Sequence, residues 1–262
     1  MSFSRFRCVV FVSVSVSMAL LTGCATIQDP RDPLEPVNRE LFEFNKDFDD
    51  AIGKPIAEAY QKGVPRVMRT GVSNFFSNLG DVVVILNDIL QLKFEQAMKD
   101  TMRFTANTVF GALGLIDVAT PMGLPKNNED FGQTMATWGV GNGPYMVLPF
   151  LGPSTVRDAA GLYVDFQVAP ILQIEEDALR YAVVGLRLVD IRAQALGVTR
   201  ILDEAALDQY AFMRDAYLQL RLNQVYDGNP PREKFSQQPS QEDLELEREL
   251  ELELDLQSES VQ

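Results

Sequence analysis

The sequence has no histidine among its 262 residues, and only two cysteines and one tryptophan. Without imidazole there is no ordinary general base near neutral pH, no Ser-His or Cys-His pair and no histidine-ligated metal. Both cysteines, Cys8 and Cys24, lie in the first tenth of the chain, so neither a disulfide framework nor a thiolate zinc site can be built. Basic residues are scarce beside acidic ones, 23 against 37, for a formal charge of −14. That balance argues against nucleic acid, whose phosphates demand excess Lys and Arg. GxSxG, Ser-x-x-Lys and P-loop patterns are absent. A hydrolase working with carboxylates alone remains as a competitor. Its candidates Glu129 and Asp130 are adjacent, however, and would not face one substrate from a strand or a helix. No catalytic residue, metal ligand or cofactor is expected.

What is present begins with an address label. Arg5 and Arg7 precede an apolar run from Val9 to Leu21, the layout of an export signal. It ends in Leu21-Thr22-Gly23-Cys24, which resembles a bacterial lipobox. Cleavage before Cys24 would remove residues 1–23 and leave Cys24 as the site of lipid attachment. The competing reading is an uncleaved anchor, but a run this short crosses the ~30 Å hydrocarbon core badly. Ala25 follows the Cys, where an Asp would favour retention at the inner membrane; the expected location is the periplasmic side of the outer membrane. Residues 24–36 read as a lipidated tether reaching only about 40 Å, which keeps the body near the bilayer.

The body, residues 37–228, reads as mainly helical and as one domain. Val37, Leu41, Phe44, Phe48 and Ile52 share a helical face, opened by Pro36 and closed by Gly53 and Pro55. Further short helices are expected over Ile56–Gln61 and Pro65–Leu79, with Gly63 and Gly80 as stops. Asp81 then caps a helix through Leu92, although Val82 to Leu86 also fits a buried strand. Phe94, Met98, Met102, Thr105 and Val109 stripe the next helix. Two long helices are expected at Glu175–Leu196 and Thr199–Tyr226, the second with Ile201, Ala205, Leu207, Tyr210, Met213 and Tyr217 on its apolar side. Residues 229–262 hold ten acids and three bases, with Leu largely alternating with Glu from Leu244 to Leu256. Such a segment reads as a solvated acidic tail, or as bait for a basic partner.

Phe131 to Val156 is the informative stretch. Its 26 residues carry no charge but include five glycines and three prolines. Pro144, Pro149 and Pro153 forbid a spanning helix, because lipid cannot satisfy the backbone groups they leave unpaired. The run is either the interior of a globule or a segment partly buried in membrane and backed by protein. Phe131, Trp138, Tyr145 and Phe150 favour the second reading, since amphipathic rings settle at headgroup level. Gly141 and Gly143 serve backbone geometry or hairpin motion. Arg157, with Asp158, either grips a headgroup or pairs with buried polar groups. Asn74, Asn78 and Asn107 are read first as caps or helix-packing hydrogen bonds.

Several ordered motifs resemble the MlaA (VacJ) family of outer-membrane phospholipid-transport lipoproteins. They begin with Asp32-Pro33-Leu34-Glu35-Pro36-Val37-Asn38-Arg39, Phe42-Glu43-Phe44-Asn45 and Val72-Ser73-Asn74-Phe75-Phe76. Asn87-Asp88, Arg103-Phe104, Asp130-Phe131-Gly132-Gln133-Thr134 and Trp138-Gly139-Val140-Gly141 follow, then Gly143-Pro144-Tyr145, Leu151-Gly152-Pro153-Ser154 and Arg157-Asp158. The resemblance implies an all-α, ring-like domain whose amphipathic helices lie in the inner leaflet around a central amphipathic channel. It implies removal of misplaced phospholipid from the outer leaflet, maintaining lipid asymmetry. The implied partners are phospholipid, a trimeric porin and a soluble periplasmic carrier (MlaC-like). Phe131, Trp138, Gly141, Gly143, Tyr145, Phe150 and Arg157 become candidate channel or lipid contacts. The competing function is a structural lipoprotein that braces porins.

Overall fold

The computed structural model describes residues 29–205 and 208–231, without the side chains of 201–205. The signal, Cys24, residues 232–262 of the acidic tail, Leu207 and the side chains of Ile201 and Ala205 of the expected last stripe lie outside what it describes. The described residues up to Val225 form one compact unit, mostly helical. Beyond it, Tyr226 to Pro231 form a turn of their own, with Asp227 and Gly228 at positive φ and the Asn229 N–H donating to the Tyr226 carbonyl.

Helix α1 (Glu35–Phe48) starts with Pro36 in its first turn, where the missing N–H costs nothing. Gly53 does not end it. The chain passes through one turn of π-helix, Asp49–Gly53, straight into α2 (Lys54–Gly63). Pro55 explains the wide turn: it cannot donate into a regular ladder, and the π turn lets Lys54 bond back to Asp49 instead. Gly53 is there for space, since a Cβ would come within 2.4 Å of Asp49 Oδ1. Arg192 grips that carboxylate at 2.6 and 2.7 Å.

Helix α3 (Arg66–Leu90) is a second departure from expectation. It runs unbroken through Gly80, and Val82 to Leu86 are helical rather than a strand. Asp81 is not a cap; it is fully buried, paired with Lys126 and 3.7 Å from Arg103. Packing against neighbouring segments outweighs the ~1 kcal/mol that a mid-helix glycine costs. Helix α4 (Phe94–Phe110) packs back on α3, and a long turn leads to the short α5 (Phe131–Thr137). A small antiparallel hairpin, β1 (Tyr145–Leu148) and β2 (Gly152–Thr155), is set into a body that is mainly helical, as expected. Pro144, Pro149 and Pro153 cannot sustain a helix, and the extended backbone they favour pairs Tyr145 with Thr155 and Val147 with Pro153. Helices α6 (Val156–Val168), α7 (Asp177–Ala205) and α8 (Gln209–Val225) complete the unit.

The core is small and the polarity is inverted. One apolar cluster gathers on Phe76, Ala169 and Ile171, a second on Tyr145, Val147 and Tyr210. Among the described residues, nineteen buried ones are polar or charged and twelve are apolar, half of those alanine. The stripes read from the sequence point outward instead: Val37, Phe44 and Phe48 from α1, Ile52 from the π turn, and Phe94, Met98 and Val109 from α4, all lie exposed. Facing inward from the same helices are Asn38, Asp100, Arg103 and Asn107. No described helix is long and apolar enough to cross a membrane.

Candidate functional site

The hairpin is held by asparagines. Asn38 and Asn45, two turns apart on α1, line the free edge of β1. Asn38 accepts from the Val147 N–H at 2.9 Å and donates to the Tyr145 carbonyl at 3.2 Å. Asn45 accepts from the Phe150 N–H at 2.7 Å and donates to the Leu148 carbonyl at 2.9 Å. These amides act as a surrogate strand, satisfying an edge that would otherwise be open.

The clamp forces an apolar tip outward. Phe150 has φ 63°, a conformation costing a non-glycine residue about 1–2 kcal/mol, and is 62% exposed. Its ring meets Phe48 and Phe44 edge-on at 4.9 and 5.4 Å. Ile52, Leu151 and Val156 are exposed as well. A second patch surrounds Trp138, 54% exposed, whose indole donates to the Leu90 carbonyl at 3.3 Å and meets the Phe131 ring edge-on at 5.6 Å. Phe131 is half-buried, and residues 137–144 between the patches are exposed throughout. Gly143 needs its positive φ of 66°; Gly141 has open space around it.

Two candidates do not belong to this surface. Tyr145 is 1% exposed, packed beside Tyr210 and Tyr217, because Asn38 and the β1–β2 pairing turn it inward. Burial and the nearby Asp32 charge push its hydroxyl well above the usual range. Arg157, 5% exposed, pairs with Asp158 at 2.9 Å and does not offer a free guanidinium. The pairing reading of Arg157 and Asp158 is thus the one realised.

Beneath the hairpin lies a charge lock that the sequence did not single out. Arg221 of α8 donates to Asp130 at 2.6 Å and to Asp158 at 2.8 Å. Tyr217 donates to Asp158 at 2.8 Å. Burial alone would raise the Asp158 carboxyl, but Arg221, Tyr217 and Arg157 together hold it at about 2. Asp130 also caps α5 by accepting from the Gln133 N–H. Thr155 does the same for α6. The two helices cross at Gly132 and Gly161, where a Cβ on Gly161 would sit 2.4 Å from the Gly132 nitrogen. Glu129 points elsewhere, to Lys93 and Gln91. The asparagines behave as read: Asn107 caps the Val118 and Ala119 N–H groups, Asn78 bonds Thr108, and Asn74 reaches the Leu115 carbonyl.

A further pair, Asp88 and Asp100, is buried where α3 meets α4, carboxyl against carboxyl. Burial first, then Asp100 and Glu129, push Asp88 up to about 7, with Lys93 acting in the opposite sense. Among the described residues, no group of three or more acidic, cysteine or histidine side chains is arranged to hold a metal ion.

Comparison with known proteins places this geometry. The MlaA lipoprotein family matches residues 30–224. The Intermembrane phospholipid transport system lipoprotein MlaA of Escherichia coli K12 is 36% identical, covering 88% of this chain and 95% of that one. Its Shigella flexneri namesake gives the same identity and coverage. An uncharacterised Rickettsia bellii protein is 32% identical over 77% of this chain. A solved structure described as the structural basis for maintenance of bacterial outer membrane lipid asymmetry is 34% identical, with a TM-score of 0.65 over 76% of this chain and 99% of its own. By sequence match and by fold, the chain belongs to the MlaA lipoprotein family.

Proposed function

We propose that this chain is a lipid-anchored protein of the outer membrane, on its periplasmic side, giving phospholipid a path out of the outer leaflet. It supplies passage, not chemistry: net direction comes from a soluble carrier downstream, MlaC-like, and a trimeric porin is the expected companion in the membrane. In this reading Cys24 carries the lipid, residues 1–23 are removed, 24–36 tether the body, 229–262 form a solvated acidic tail, and 238–262 of it are dispensable. The helices lie around a channel, in the ring-like arrangement implied by the family.

One observation carries the reading, the inverted polarity. Fully burying one Phe or Leu side chain contributes about 1.5–3 kcal/mol in favour of leaving water. A body that turns Phe44, Phe48, Phe94, Met98 and Phe150 outward, and Asn38, Asp81, Asp88 and Arg103 inward, is matched to an apolar surrounding and a polar interior. Phe131, Trp138, Gly141, Gly143 and Phe150, on the uncharged stretch, are the proposed lipid contacts. The names borne by the Escherichia and Shigella relatives, and the lipid-asymmetry description of the solved structure, support the same reading.

The test is the phospholipid content of the outer leaflet in cells lacking the protein. Deletion should raise it, and wild type but not Cys24→Ala should restore it. An unchanged leaflet would favour a porin-bracing lipoprotein. Trimming 238–262 should leave both folding and transport intact; collapse would make the tail structural.

A further inference from the structure

Arg187 is an exception to how this protein treats its arginines. Arg103, Arg157, Arg214 and Arg221 are buried, and each is paired with a carboxylate. Arg187 is half-buried, yet among the described residues it has no carboxylate partner and no hydrogen bond. A chain with 37 acids does not lack counter-ions to offer.

Its place on α7 gives the vacancy a direction. Val183, Arg187, Asp190 and Gln194 recur at helical spacing and share one face. That face is turned to protein on both sides of Arg187. Val183 and Val184 pack on the Phe76, Ala169 and Ile171 cluster. Asp190 accepts from the Tyr60 hydroxyl at 3.2 Å, and Gln194 donates to Ser73 at 3.0 Å. Gln194 also donates to the second Asp190 oxygen at 2.8 Å, so that carboxylate is already engaged. Arg187 therefore stands on the line where an apolar wall meets one of hydroxyls and amides. Desolvation pulls its guanidinium down, with no neighbouring charge to offset it.

We propose that Arg187 docks the phosphate of a phospholipid, with the chains lying toward the partly buried Val183, Val184 and Leu172 and the glycerol region toward Tyr60, Ser73 and Gln194. A guanidinium fork matches phosphate oxygens bidentately. A single such contact holds the lipid without trapping it, which suits a path. The inference rests on the lipid-path reading and names a point along that path.

The test uses the full lipidated protein, purified in phosphate-free detergent and loaded from vesicles of dioleoylphosphatidylglycerol or of the same lipid mixed with dioleoylglycerol. Co-purified lipids are quantified by mass spectrometry for wild type, Arg187→Gln and Arg187→Lys, with melting temperature as the folding control. Wild type should retain the phospholipid in preference to dioleoylglycerol. Retention should fall roughly tenfold in Arg187→Gln, the worth of a charged hydrogen-bonded contact, and recover in part in Arg187→Lys. Dioleoylglycerol should be the same in all three. Wild-type phospholipid retention by Arg187→Gln overturns the docking role and leaves the lipid path standing. Equal loss of both lipids assigns Arg187 to packing and also overturns it. Wild type without phospholipid removes both readings. Saturable binding of inorganic phosphate, lost in Arg187→Gln while lipid retention is unmoved, assigns the site to the free anion and overturns the lipid docking.

Discussion

At the scale of single residues, the interior carboxyls and glycines make sharp demands. Asp88, held near 7 by burial and Asp100, binds a proton in the folded state that the unfolded chain releases near 3.8. Its folded pKa is raised, so this group's contribution to stability declines as pH rises from about 4 to 7 and is flat above. Asp88→Asn, which cannot ionise, should raise the melting temperature at pH 8 and flatten that slope; an unchanged profile would mean the proton is not held there. Asp158 works in the opposite sense, its pKa lowered to about 2. Its contribution is present above the unfolded value near 3.8 and is lost as pH falls through 2. Gly143 and Gly141 separate cleanly by substitution. Gly143→Ala should cost about 1–2 kcal/mol for its positive φ, while Gly141→Ala, in open space at an ordinary φ, should leave chemical denaturation unmoved.

At the scale of elements, the crossing of α5 and α6 is the tightest joint. Gly161→Ala drives a methyl into the Gly132 backbone and should destabilise by about 1–3 kcal/mol, read from the denaturation midpoint. Arg221→Met leaves Asp130 and Asp158 buried without their main counter-charge, a loss of about 3–5 kcal/mol on the same measurement. These joints also show what the sequence could and could not disclose. Helix existence was legible because the 3.6-residue period of Val37 to Ile52 and Phe94 to Val109 survives in the structure. The break at Gly80 was not realised, because local propensity carries no knowledge of Lys126 and Arg103 waiting for Asp81. The hairpin was signalled by three prolines in an uncharged run, yet its clamp was hidden: Asn38 and Asn45 look like ordinary helical polar residues until β1 arrives about 100 positions later. Arg221 lies 91 residues from Asp130 and 63 from Asp158, a pairing that no local pattern announces. Of the candidate site, Trp138 and Phe150 were legible as exposed aromatics. Tyr145 and Arg157 are turned inward, and which way they would face was not legible, since their type fits a headgroup region and a packed interior equally well.

At the scale of the whole molecule, the apolar exterior should give the folded body an affinity for bilayers of its own, beside that of the lipid proposed at Cys24. The Cys24→Ala form should still bind phospholipid vesicles in flotation, and replacing Phe44 and Phe150 together with Asp should weaken that binding at least tenfold, at about 1.5–3 kcal/mol for each ring withdrawn. Vesicle binding that ignores both changes would place the contact face elsewhere. The same exterior has a consequence for biogenesis. Most chains gain solubility by folding, as greasy side chains disappear inside. Here folding sets Phe94, Phe110, Met98 and Phe150 on display and hides charges instead. The finished protein is therefore less at ease in water than its composition predicts, and any aqueous compartment it crosses is a hazard rather than a folding vessel.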